Sequence, residues 1–155
     1  MKFQRIFSIC ASITVTSCTT TNWPAAIGVE QPAISQSARK TTWPDIPVEP
    51  PLPNVAPDRS RWSGKWEGWA CQSYACDTKL LVVSVSNEGA KVVPLWAMNR
   101  SESPHPIRDA VFVGDELHIV SDEPKFYYRI RKNGQMEMMR MSNDVMGYGV
   151  MTKVR

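Results

Sequence analysis

Long apolar runs are missing from this sequence. The longest, Ile6 to Val15, covers ten residues and is interrupted by Ser8, Ser12 and Thr14, well short of the ~20 residues that a helix needs to cross a bilayer core. A spanning helix is therefore not expected. Histidine is nearly absent, with two residues, and only four cysteines occur, which leaves little material for a metal centre or for imidazole-driven catalysis. Basic residues are nowhere gathered into a block, so the electrostatic footprint of a nucleic-acid binder is lacking. The G-x-S-x-G elbow, a phosphate-cradling glycine loop and H-E-x-x-H are also missing. The expectation is a protein without catalytic residues, without cofactor or metal, and without a nucleic-acid partner.

What is present begins at the amino terminus. Lys2 and Arg5 precede the short apolar stretch, and small residues follow it, the layout of a secretory signal. The stretch ends in Val15-Thr16-Ser17-Cys18, which resembles the lipobox of bacterial lipoproteins. That resemblance implies removal of residues 1–17 and acylation of Cys18, placing the protein in the cell envelope with a membrane partner through its lipid. Several acyl chains, at ~0.8 kcal/mol per buried methylene, would hold it there firmly. Thr19 follows the cysteine; by the sorting rule of enteric lipoproteins, a residue other than Asp implies the outer membrane, with the domain facing the periplasm or the cell surface.

Composition shifts near Arg61. Eight prolines fall between Trp23 and Pro57, so residues 18–61 read as a disordered or polyproline-like tether. Such a tether would reach on the order of 120 Å fully extended and nearer 40 Å as a coil. Within it, Thr21-Asn22-Trp23-Pro24 is echoed by Thr41-Thr42-Trp43-Pro44. Exposed tryptophans in such a segment can dock into a partner's groove; chance duplication of so short a pattern is the simpler reading.

Residues 62–155 form the second part, with short alternating runs between turn signals, the mark of an all-β sandwich or barrel. Strands are expected at Lys65 to Cys71, Thr78 to Val85, Lys91 to Ala97, Ala110 to Val113, Glu116 to Ser121, Lys125 to Arg131, Gln135 to Met141 and Tyr148 to Val154. No helix is expected. Turns at Asn87-Glu88-Gly89, Gly114-Asp115 and Lys132-Asn133-Gly134 suit hairpins. Leu80-Leu81-Val82-Val83 is apolar on both faces, as in a strand covered from two sides. Eight strands joined mostly by tight turns predict an antiparallel up-and-down meander, closed or nearly closed into a barrel that removes its edges. Gly64-Lys65-Trp66 resembles the G-x-W signature of the lipocalin-like calycin barrels. In that superfamily the Trp closes one barrel end under a basic residue from a late strand, which assigns barrel closure to Trp66 and to Arg155 or Lys153.

After the signal, Cys71 and Cys76 remain besides Cys18, and export places them in an oxidising compartment. Their spacing suits a disulfide stapling the first hairpin, at about 2 kcal/mol in the chain-entropy view. The best interaction surface is aromatic: alternation from Trp66 sends Trp69 outward, to meet either a partner or a covering segment. Trp96, Tyr127 and His105, the last in the long loop from Met98 to Asp109, complete the partner-binding candidates. The methionines Met136, Met138, Met139, Met141, Met146 and Met151 are expected to fill the core. Three functions fit this plan: a non-enzymatic lipoprotein whose tethered barrel binds an envelope protein or glycan, an inhibitor of a hydrolase such as a lysozyme or protease, and a carrier of a small apolar ligand.

Overall fold

Strict alternation of inward and outward side chains closes eight strands on themselves. In a computed structural model of the chain, which describes residues 21, 23, 41–70, 76–96, 106–122, 124–142 and 145–155, the strands are β1 (Gly64–Ala70), β2 (Cys76–Val85), β3 (Gly89–Trp96), β4 (Arg108–Val113), β5 (Glu116–Ile119), β6 (Lys125–Ile130), β7 (Met136–Ser142) and β8 (Val145–Lys153). Each pairs antiparallel with the next, and β8 returns to β1 with Trp66 opposite Lys153. The expected meander is thus a closed barrel, and every expected strand is present. Closure gives every strand a neighbour on both sides, which removes the free outer strands of an open sheet.

The period of two decides what fills the interior. Trp66, Ala70, Leu80, Val82, Val92, Leu117, Phe126, Tyr128, Met136, Met138 and Met151 point inward and form one buried cluster. A bulge between Val82 and Ser84 shifts the register and turns Val85 back toward that core. The β1–β8 seam is drawn in tightly: a Cβ on Gly68 would lie 1.9 Å from the Val150 carbonyl oxygen. Only glycine permits that approach of two backbones. Gly114 and Gly134 take φ of 59° and 83° in their hairpins, as the turn chemistry requires.

One end is plugged by a short helix, α1 (Pro57–Ser60), which the sequence reading did not expect. Its signals are there in Pro57 at the first helical position and Asp58 beside it, a pairing suited to a helix start. Behind it Trp62 is fully buried, meets Phe112 edge-on at 5.6 Å between ring centroids and accepts at its carbonyl the indole N–H of Trp66 (2.9 Å). Arg59 lies over the other ring of that pair, 4.2 Å from the Phe112 centroid. Lys153 completes the closure, with Nζ 5.5 Å from the Trp66 centroid and 3.0 Å from the Arg61 carbonyl it donates to. Trp66 is buried, and the basic residue over its ring is Lys153. Arg155 lies two residues beyond the end of the β8 pairing and is exposed.

The described stretch 41–61 does not stand off from the domain. Trp43, Ile46 and Val48 pack on a second buried cluster, Leu81, Val83, Val93 and Leu95, on the outer faces of β2 and β3. The Glu49 amide donates to the Val83 carbonyl at 2.7 Å, and Val55 joins the main core. This strap is why Leu80 to Val83 is apolar on both faces. Any free spacer is correspondingly shorter than residues 18–61.

Candidate functional site

The outward faces of β5, β6, β7 and β8 carry a continuous polar network. Glu116 and His118 project from β5, Tyr127 and Arg129 from β6, Glu137 from β7 and Tyr148 from β8, because each occupies the phase opposite to the inward residues Leu117, Tyr128 and Met138. His118 Nε2 lies 2.7 Å from a Glu116 carboxylate oxygen, and its ring meets Tyr127 edge-on at 4.8 Å. The other end of the network centres on Glu137, which is fully buried although it faces away from the core. It accepts from Arg129 Nε, from Arg131 Nη2 at 2.5 Å and from the Tyr148 hydroxyl, which in turn accepts from Arg131 at 2.7 Å.

These contacts decide the protonation states. Burial by itself would raise the pKa of Glu137, but the hydrogen bonds from Arg131, Arg129 and Tyr148, with the charge of Arg129, outweigh it and hold the carboxyl below its ordinary range. A paired, hydrogen-bonded carboxylate tolerates burial that an isolated one would not. Tyr148 moves the other way, to about 12, through burial and then through the hydrogen bond it gives Glu137. Burial also opposes ionisation of Glu116, yet hydrogen bonds from Thr21, His118 and Trp23 lower its pKa.

Two segments from outside the strands sit on outer walls of the barrel. Glu116 accepts the Thr21 hydroxyl at 2.7 Å and the Trp23 indole N–H at 2.5 Å, with Arg129 4.4 Å from the Trp23 ring centroid. On the β1–β2 wall, Asp77 accepts the Thr41 amide and hydroxyl at 2.9 and 3.0 Å, while Lys79 donates to the Thr41 carbonyl at 2.6 Å. Lys65 and Lys79 flank the Trp43 ring, at 5.4 and 5.5 Å from its centroid.

A third feature is an open groove of about 600 Å³ between the strap and the β3–β4 wall. Pro50, Leu52, Ala90 and Val111 line it, and the Lys91–Asp109 ion pair (2.7 Å) lies alongside. Leu52 and Val111 are 66% and 44% exposed there. Val113, on the same outward phase of β4 as Val111, and Ile107, just before that strand, are also exposed. These apolar residues share one side of the barrel, and none was singled out from sequence.

Of the four residues expected to bind a partner, the described residues include the side chains of two, Trp69 and Tyr127. Trp69 faces outward but is 3% exposed, so it contributes packing and no open surface. Tyr127 is half-buried against His118. The Trp96 side chain and all of His105 lie outside the described residues, as do Cys18, Cys71 and the Cys76 side chain. Met136, Met138 and Met151 fill the core as expected, Met139 is buried on the outer face, and Met141 is exposed. No protein-family model matches the chain, and no curated protein matches its sequence.

Proposed function

We propose that this chain is a lipid-anchored envelope protein, without catalytic activity, whose barrel docks an envelope protein on its outer wall. The observation that carries this reading is the apolar groove beside Leu52 and Val111, two large side chains left exposed next to the β2–β3 wall that the strap covers. Contiguous exposed apolar surface in an otherwise well-covered domain is the usual mark of a docking face. A carrier would instead need an apolar cavity of ~300 Å³ or more inside the barrel. Here Trp62, Leu80, Val82, Val92, Leu117, Met136, Met138 and Met151 are each buried to within 1% in the interior, which favours a filled barrel that works from its outside. The anchor at Cys18 follows from the lipobox pattern, and it confines the search for a partner to the envelope.

A photo-crosslinking amino acid at position 52 or 111, introduced into the chain in its own cells, tests the docking face. One discrete adduct with an envelope protein, lost when Val113 is changed to Asp, is the expected result. Adducts no different from those formed by a probe at exposed Lys132 would remove the reading. Cys18→Ala separately tests the anchor, since it should move the protein from the membrane to the soluble fraction.

A further inference from the structure

The Thr-x-Trp pattern occurs twice in the sequence, and both copies are seated on the barrel in the same way. In each, the Thr hydroxyl donates to a carboxylate that projects outward from a strand, Asp77 of β2 for Thr41 and Glu116 of β5 for Thr21. In each, the Trp two residues later lies against cations beside that carboxylate, Lys65 and Lys79 in one case and Arg129 in the other. In each, the residue two positions beyond the carboxylate completes the cradle: Lys79 is 2.7 Å from Asp77, and His118 is 2.7 Å from Glu116. Because β1–β2 and β5–β6 stand four strands apart in a closed ring of eight, the two cradles lie on opposite walls. A carboxylate for the hydroxyl with a cation for the indole face is a small recognition code, and each part is a known source of affinity.

The cradles differ in what surrounds them. Trp43 rests on Leu81, Val83, Val93 and Leu95 with Ile46 and Val48 beside it, so the strap is tied down by apolar burial. Among the described residues, Trp23 belongs to neither buried cluster; its contacts are its N–H on Glu116 and the Arg129 guanidinium. Polar contacts at half-exposed groups are individually worth little net free energy. The β5–β6 cradle is therefore suited to reversible occupation.

We propose that the outer wall of β5–β6, built from Glu116, His118 and Arg129, is a binding site for the Thr and Trp side chains of a Thr-x-Trp segment, and that Thr21 and Trp23 of the same chain occupy it reversibly. If Cys18 carries the lipid, the consequence is a retractable tether, a point that rests on the anchor proposed above. Two residues separate Cys18 from Thr21, three steps along the chain that span at most ~10 Å, so an occupied cradle draws the barrel to the membrane and an empty one releases it.

The test does not involve the lipid. In the ¹⁵N-labelled chain from Thr19 to Arg155, the six tryptophan indole N–H signals are resolved by NMR, with that of Trp23 identified by its loss in Trp23→Phe. The Trp23 signal should lie away from the free-indole position. It should move at least halfway toward that position in Glu116→Ala, and also in the milder Thr21→Val, while the Trp43 signal stays in place. A Trp23 signal at the free-indole position in the unsubstituted chain, or one unmoved by both substitutions, overturns the site. A concentration-dependent dimer in sedimentation that Trp23→Ala dissolves overturns the assignment of the occupant to the same chain.

Discussion

Arg131 donates to Glu137 at 2.5 Å across a carboxylate that has no solvent exposure, on the outer side of the barrel. The arrangement is a buried charge made tolerable by its partners. Glu137→Ala would leave the Arg129 and Arg131 guanidiniums and the Tyr148 hydroxyl without their shared acceptor. Breaking a buried ion pair from one side costs ~3–5 kcal/mol, and thermal unfolding should show a loss of that order. Tyr148→Phe, which removes one donor and leaves both guanidiniums, should cost about 1 kcal/mol. The two losses should not add in the double variant, because both act through one carboxylate.

The same network sets an acid limit. Glu137 and Glu116 both have pKa values held below the ordinary 4.5. A depressed folded-state pKa gives stability that is fully present above the unfolded value and is lost as pH falls through the folded one. Stability should therefore be flat from neutral pH down to about pH 5 and then fall, with a weaker fall in Glu137→Gln, as read by urea midpoints across pH. The alkaline side has the opposite sign. Tyr148 is raised to about 12 and Tyr128 further still, so they favour the folded state below the ordinary tyrosine value and lose that contribution only as pH rises through their own. Phenolate absorbance should show a substantial part of the tyrosine signal still un-ionised at pH 11 in the folded protein, and only about a tenth of it after addition of denaturant.

Lys153 and Arg155 separate by experiment as they do by position. Lys153→Ala removes the cation over Trp66 and the hydrogen bond to the Arg61 carbonyl, which together are worth about 1–2 kcal/mol. Arg155→Ala should change stability by less than ~0.5 kcal/mol, as exposed terminal substitutions do. Equal losses in denaturant unfolding would reject Lys153 as the closing residue.

Gly68 tests the seam. Alanine there would set its Cβ 1.9 Å from the Val150 carbonyl oxygen and 2.7 Å from the Met151 Cα, distances that force β1 and β8 apart. Both obstacles are backbone, so relief by side-chain rotation is closed. Gly68→Ala should destabilise by several times the ~0.5–1 kcal/mol that glycine-to-alanine gains elsewhere in a strand, whereas Lys132→Ala, in an exposed turn, should be neutral. Circular dichroism melts would distinguish them.

The barrel was readable because its residues obey a period of two that few other structures produce. Phe126, Tyr128 and Ile130 against Lys125, Arg129 and Arg131 give the phase of β6 outright, and the glycine turns give the hairpins. The outer-wall sites were not readable, for a physical reason. Glu137 alternates with Met136 and Met138 as any solvent-facing residue of a half-buried strand would, and nothing local marks it as buried. Its environment comes from Arg129, Arg131 and Tyr148, on neighbouring strands and the turn beyond. Trp69 was placed on the correct face, yet burial there depends on what covers the face, which alternation does not encode. The strap had a signal that proline obscured: Trp43, Ile46 and Val48 are the apolar complement of Leu81 and Val83, whose two-sided pattern required a cover from somewhere.

That complement gives the most direct prediction about where the folding unit begins. Leu81, Val83, Val93 and Leu95 are at most 6% exposed with the strap in place. A chain starting at Trp62 would bare them and would also lose Val55 and α1 from the plugged end. Fully exposing one such aliphatic side chain costs ~1.5–3 kcal/mol, and even partial exposure of four approaches the whole stability of a small domain. The chain from Thr41 to Arg155 should melt within a few degrees of the full-length protein in one cooperative step. The chain from Trp62 to Arg155 should bind a hydrophobic dye, aggregate or melt far lower. Trp43→Ala in the full chain should fall between them, since it removes the ring that caps the cluster while Ile46 and Val48 remain. If the two truncated chains melt together, the strap is an ornament on the barrel and the unit begins at Trp62. If they separate, the cover is part of the fold, and only the residues before Thr41 are left to act as a spacer.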